Sequence, residues 1–389
     1  MLTMLRDIRD DVAKHYYDPS FHGIDLNARY KEAELRLKTT GGFNEGISTL
    51  AEFLTQFDDS HTTFMPPNRR VRVDYGWEMA MVGDRPLIVS VAAASDAAAK
   101  GLAPGDRVLL LNTFEPTRQN LWRLRYFYRF VRPQAQQRVA VLKPNGSAIT
   151  VDVASRVEDK PVTELGDLVA EIERDLARAR DVGAAIDDGV FVWKMTMFGN
   201  PERVDEMIGK ARGHKTLILD LRGNGGGSVA ALRELVSRSF DREILVAEEK
   251  LRDRVVREVA KPSRNAFGGR VIVLVDSQSA SAAEMFARIV QIEKRGTVLG
   301  DRTAGAVMTS RIFPHQAGIA ALAFYAASIT VGDVRLSDGA SLEKIGVRPD
   351  EIVLPSPGDL AAGRDPVLAY AIELAGGSLT AEQAGRLFR

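Results

Sequence analysis

The feature that most constrains this chain is a buried strand that breaks into small residues and restarts as a helix. Arg270–Asp276 (Arg-Val-Ile-Val-Leu-Val-Asp) is an apolar run of strand length. Ser277–Glu284 (Ser-Gln-Ser-Ala-Ser-Ala-Ala-Glu) follows, and Met285–Ile292 reads as a helix. Backbone N–H groups at such a juncture lack helical partners, and the positive end of the helix dipole points at them. A serine held there, Ser281, is placed to act as a nucleophile whose neighbouring N–H groups receive the oxyanion it creates. It is equally suited to be an ordinary helix N-cap.

A second strand, Thr216–Leu221, runs into Arg-Gly-Asn-Gly-Gly-Gly-Ser (Arg222–Ser228) before the helical run Val229–Val236. Consecutive glycines admit backbone conformations closed to other residues, and their N–H groups form anion-receiving concavities. No Gly-Lys-Ser/Thr follows, so this is not a phosphate loop, and the spacing does not match a dinucleotide fingerprint. Alone, the loop is compatible with a plain tight turn.

A third stretch lies far upstream, Phe57-Asp-Asp-Ser-His-Thr-Thr-Phe64. Of five histidines, His61 is the one flanked by hydroxyls and carboxylates. A serine nucleophile needs a base with a pKa near neutrality, and the base needs an orienting partner on its other nitrogen. Ser60 is placed to be that partner if a carboxylate stands behind it. His15, His22, His214 and His315 read as structural or solvated residues.

Together these stretches resemble the serine peptidases of the carboxyl-terminal-processing and tricorn-core family. The matching segments are Asp59–Thr62, Asp220–Gly227, Ser277–Glu284, Gly300–Gly305 and Gly346–Asp350, in the family's order. One departure bears on mechanism. In the processing branch a lysine 25 residues beyond the serine is the base, and this chain has Ala306 there. The tricorn-like branch uses histidine, a helper serine and a glutamate. The resemblance therefore implies catalysis by Ser281, His61, Ser60 and Glu343. Glu343 polarises Ser60, Ser60 orients His61, and His61 deprotonates Ser281. The oxyanion hole implied is the N–H of Ala282 with one from the Gly225–Gly226 turn. The implied function is a serine endopeptidase acting on unfolded or flexible polypeptides; a peptide-binding scaffold that has lost catalysis is the alternative.

Leu87–Val91, Ala97–Leu102 and Pro104–Asn112 read as strand, short helix, Gly-Asp turn and strand, and resemble a PDZ domain. Gln119–Phe130 has helical apolar spacing, and Pro144-Asn-Gly146 between two apolar runs signals a hairpin. Such modules extend their sheet with a peptide strand, so this one is expected to bind extended peptide and present it to Ser281. Gly76–Trp77 and Gly83–Asp84 are the candidates for its carboxylate-receiving loop.

The expected architecture is α/β and multidomain. Residues 1–70 form an N-terminal helical domain and 75–156 a PDZ-like β-rich domain. Residues 157–188, with a helical run at Leu168–Leu176, form a connection. Residues 189–355 form the catalytic core, by resemblance a crotonase/Clp-like α/β spiral, and 356–389 a C-terminal helical tail. At 389 residues the chain is too long for one core. Zero net charge with no basic block argues against a nucleic-acid partner, and no apolar run is long enough to span a bilayer. The absence of cysteine excludes disulfides, thiol catalysis and cysteine-ligated zinc, and no cofactor or metal is expected. Polypeptides are the expected partners, and a homo-oligomer is compatible. Met1–Asp7 lacks a basic segment with an apolar core, so no signal peptide is expected within the sequence. A periplasmic or secreted location after removal of a leader is equally compatible.

Overall fold

A computed structural model describes residues 1–67, 71–159, 181–318 and 323–388. The helix expected at Leu168–Leu176 lies outside the described residues. A six-stranded sheet organises residues 182–352. Its order is Glu351–Ile352, Gly296–Gly300, Arg270–Val275, Thr216–Asp220, Val190–Lys194 and Val182–Ile186. The first five run parallel, and the last is antiparallel. Successive side chains of a strand face opposite ways. Accordingly Val271, Val273 and Val275 enter one core with the helices Pro201–Ala211, Val229–Ser239 and Ala282–Ile292. Ile272 and Leu274 enter another, with Pro366–Leu374 and Ala381–Ala384. Cover on both faces is why these strands read as unbroken apolar runs.

A second, antiparallel sheet joins distant parts of the chain. Thr63–Met65 pairs with Ala323–Arg335, which also pairs with Met308–Ala317 and Ile244–Leu251. The helices Leu2–His15, Leu26–Thr39 and Phe43–Thr55 pack on it, sharing one core with Phe64, Tyr325, Ala327 and Ile329. A third sheet, of five strands, runs Trp77–Val82, Arg85–Val91, Arg107–Leu111, Gln136–Leu142 and Ala148–Ala154. The helical run expected at Gln119–Phe130 forms Leu121–Tyr126 and continues as a wider turn over Phe127–Val131. Pro355–Gly358, which reads as a break, starts a short helix, because Ser356 caps Pro357–Ala362. No described helix is long and apolar enough to cross a membrane.

Candidate active site

Ser281 stands beyond the carboxyl end of the Arg270–Val275 strand, where ligands gather in open parallel sheets. Asp276 ends that strand and knits the turn: its Oδ1 accepts the N–H groups of Gly223 (3.0 Å), Gln278 (2.9 Å) and Ser279 (3.0 Å). Ser279 Oγ donates to the Leu221 carbonyl at 2.8 Å, and Ala280 N–H to the Asn224 carbonyl at 2.9 Å. The serine turn and the glycine loop are thus one unit. Ser281 adopts φ 54°, ψ −120°, a left-handed conformation that costs a non-glycine residue about 1–3 kcal/mol and marks the strained elbows of nucleophiles. Its N–H donates to Glu284 Oε2 (3.1 Å) and to the Ala306 carbonyl (3.0 Å). Glu284 also accepts from Thr303 Oγ1 (2.5 Å), Gly305 N–H and Ala306 N–H (both 2.8 Å). Burial pushes its carboxyl up to about 7 against these bonds.

The two glycines named from sequence differ. Gly226 N–H donates to Asn224 Oδ1 at 2.8 Å, while the other end of that side chain donates to the Met195 carbonyl at 2.9 Å. Gly226 at φ 99° presses on Ser281: a Cβ there would lie 2.6 Å from Ser281 Cβ. The N–H groups of Gly225 and Ala282 have no acceptor among the described residues. Of the two glycines, Gly225 is therefore the one with an N–H left to offer, alongside that of Ala282.

His61, Ser60 and Glu343 meet although Ser60 and Glu343 are 283 residues apart. Ser60 Oγ lies 2.6 Å from His61 Nδ1 and donates to Glu343 Oε2 at 2.8 Å. Glu343 Oε1 accepts Ser60 N–H at 2.8 Å, and its Oε2 accepts Val307 N–H at 2.9 Å. Three donors and no acceptor at its oxygens suit Glu343 in its ionised form. The single Ser60 hydroxyl proton is spent on Glu343, so Ser60 Oγ accepts from His61 Nδ1–H. That fixes the tautomer and leaves Nε2 with the lone pair. Burial lowers the His61 pKa, with the Asp59 charge opposing. Burial raises that of Glu343, opposed by its bonds to Ser60 and Val307. No hydrogen bond joins Ser281 Oγ to His61 among the described residues. One segment runs between the two groups: the Ala306 carbonyl accepts from Ser281 N–H, and Val307 N–H donates to Glu343, which holds Ser60 beside His61.

Sequence reasoning missed what holds His61. Asp59, 5% exposed, accepts at Oδ1 from the N–H groups of His61 (2.9 Å) and Thr62 (2.6 Å) and from Thr330 Oγ1 (2.7 Å). Its Oδ2 accepts from Tyr16 Oη (2.9 Å) and Thr62 Oγ1 (2.8 Å). A carboxylate two residues before a histidine was the available signal. Of the remaining histidines, only His22 lies near this site, lining a cavity with Asp59 and Glu343. His15 stacks on Phe313, His22 bonds Tyr17, His315 pairs with Asp11, and His214 lies against Phe191. No metal-binding group of three or more acidic or histidine side chains occurs among the described residues.

Comparison with known proteins agrees with this architecture. Residues 190–353 match the model of peptidase family S41. Over 96% of its length the chain is 24% identical to the carboxyl-terminal-processing protease of a Picosynechococcus species, spanning 88% of that protein. It is 24% identical to carboxyl-terminal-processing peptidase 2 of Arabidopsis thaliana, covering 87% of this chain and 66% of the relative. A tricorn protease homolog of Streptomyces coelicolor is 34% identical over 161 residues, 41% of this chain and 13% of that protein. Among solved structures, mature CPAF superposes with a TM-score of 0.69 at 16% identity, covering 92% of this chain and 94% of that one. The photosystem II D1 C-terminal processing protease gives 0.55 at 18% identity, covering 92% and 93%. The S41 match over residues 190–353, taken with these relatives, makes the chain a serine-type peptidase related to the carboxyl-terminal-processing and tail-specific proteases.

Proposed function

We propose that the protein is an endopeptidase for unfolded or flexible polypeptides, with Ser281 as nucleophile and His61 as general base. The observation that carries this reading is Ser60 Oγ bridging His61 Nδ1 and Glu343 Oε2. His61 Nε2 takes the Ser281 proton as Oγ attacks the peptide carbonyl, and returns it to the leaving amine. The oxyanion is received by Gly225 and Ala282 N–H groups at the positive end of the Ala282–Ile292 helix. Glu343, through Ser60, stabilises the imidazolium. The same reading takes the parallel sheet as a crotonase-like core and residues 75–156 as a PDZ-like module. Labelling by a fluorophosphonate is the direct test. An activated Ser281 reacts within minutes and loses reactivity in His61→Ala. An unlabelled protein that still binds polypeptide would be a scaffold instead.

A further inference from the structure

Among the described residues the Trp77–Val82 strand pairs on one side only, with Arg85–Val91. Val82 and Arg85 close a two-residue turn, Gly83–Asp84, so they form the hydrogen-bonded pair and Met81 and Met79 turn their backbone groups outward. Such an edge is a template for an incoming strand. Here its outward carbonyls have side-chain partners. The Met79 carbonyl accepts from the Arg125 guanidinium. The Met81 carbonyl accepts from Ser277 Oγ at 2.6 Å. Gly83 N–H donates to Asp301 Oδ2 at 2.9 Å, and its carbonyl accepts from Arg118 Nε at 2.8 Å. Arg118 also donates to Asp301 Oδ2 at 2.6 Å and to the Arg302 carbonyl at 3.0 Å. The Arg118 and Asp301 side chains are each 11% exposed, so this is a shielded joint. The glycine N–H groups expected to receive a peptide carboxylate are also occupied, Gly76 by Asp74 at 2.8 Å and Gly83 by Asp301.

Two of these partners come from the catalytic core at sensitive places. Ser277 precedes Ser281 by four residues in the same turn. Asp301 begins the segment that ends at Ala306, whose carbonyl holds the Ser281 amide. The edge therefore has an occupant, and that occupant is the nucleophile's own scaffold.

We propose that this strand edge clamps the nucleophile loops, so that polypeptide docking on the edge and catalysis at Ser281 are antagonistic. The catalytic half rests on the Ser281–His61 reading above. A docking strand needs the Met81 carbonyl that Ser277 holds and the Gly83 groups that Asp301 and Arg118 hold. By linkage, whatever releases those groups favours docking and loosens the loops, and the reverse holds equally.

The test uses the full chain and two readouts. One is the rate of fluorophosphonate labelling, which needs no polypeptide contact. The other is the affinity for fluorescently labelled β-casein, an unfolded chain, measured on a Ser281→Ala background to prevent cleavage. Ser277→Ala removes one net hydrogen bond of about 1.5 kcal/mol, or roughly tenfold. It should slow labelling and tighten casein binding by about that factor, while Ser277→Thr, which keeps the hydroxyl, restores both. Arg118→Lys, which keeps the charge and loses the fork, should move both readouts the same way. A merely structural role would lower thermal stability without moving the readouts in opposite directions. Casein affinity that stays the same or weakens in folded variants, or a labelling rate that does not fall, overturns the proposal. A parent that is never labelled refutes the Ser281–His61 reading instead, and the casein arm then decides the edge alone.

Discussion

Ser281 donates its amide hydrogen to the carbonyl of Ala306 at 3.0 Å. The residue standing where one branch of the family carries its base lysine thus serves the nucleophile through its backbone. The next residue, Val307, donates to Glu343 Oε2 at 2.9 Å. One short segment touches the nucleophile on one side and the carboxylate behind Ser60 on the other. With no amine at position 306, the proposed proton transfer rests on His61, whose Nδ1 is engaged by Ser60 Oγ.

Ser281→Ala and His61→Ala should each lower turnover of an unfolded polypeptide by about 10⁴- to 10⁶-fold, and the double variant should be little worse. Groups that act as one unit are not additive. Steady-state kinetics on the three variants checks this. Losses that multiply in the double variant would mean that the two side chains act independently.

Glu343→Gln and Ser60→Ala should keep the fold and lower kcat by about 10²-fold or more with little change in KM. The pH profile identifies the cause. The proposed mechanism needs Glu343 ionised and His61 neutral. Burial holds Glu343 above the usual carboxylate range and His61 below the usual imidazole range. Kcat/KM should therefore be flat near neutrality and fall as the pH drops, when both groups take up protons. Removing the Glu343 carboxylate takes one proton out of that acid limb, so the profile of Glu343→Gln becomes shallower. An unaltered limb with full activity would assign the carboxylate role elsewhere.

The strand–turn–helix unit at Arg270–Ile292 was legible because burial on both faces leaves a continuous apolar run, and small residues mark the turn. The glycine loop and Ser60–His61 stood out for similar local reasons. The second sheet did not. Met308–Ala317 contains Pro314, a strand breaker that survives because, among the described residues, this strand pairs on one side only. The adjoining Ala323–Arg335 is extended because Thr63–Met65 and Ile244–Leu251, remote in sequence, hydrogen-bond to it. Local propensity carries no trace of such partners. The same limit applies within the site. Gly225 and Gly226 are identical letters, and only the Asn224 side chain distinguishes their N–H groups.

Those two glycines should respond differently to alanine. At Gly226 a Cβ would sit 2.6 Å from Ser281 Cβ and 3.0 Å from the Ala280 carbonyl oxygen, on a backbone at φ 99°. At Gly225 it would meet nothing within 4 Å. Gly226→Ala should cost roughly 1–3 kcal/mol of stability and most of the activity, because the elbow must shift. Gly225→Ala keeps its N–H and should stay within about tenfold of the parent. Thermal melts and phosphonate labelling of both separate the cases; equal losses would mean that the loop fails as a whole.

Glu284 gives a stability test with a definite sign. Burial pushes its carboxyl up to about 7 in the folded protein, whereas an unfolded glutamate titrates near 4.3. Between those values the folded chain holds a proton that the unfolded chain has released. The contribution is fully present below about pH 4, fades as the pH rises, and is gone above about pH 7. Its full size is about 4 kcal/mol at 1.36 kcal/mol per pKa unit. Glu284→Gln does not titrate and, like the protonated acid, offers one oxygen to the donors of Ser281, Thr303, Gly305 and Ala306. Denaturant unfolding from pH 4.5 to 7.5 should show the parent losing stability relative to the variant by about that amount. If the two curves run parallel, the four donors outweigh burial and Glu284 is an ordinary ionised carboxylate at every pH tested. The elbow would then be held by charge-assisted bonds throughout that range.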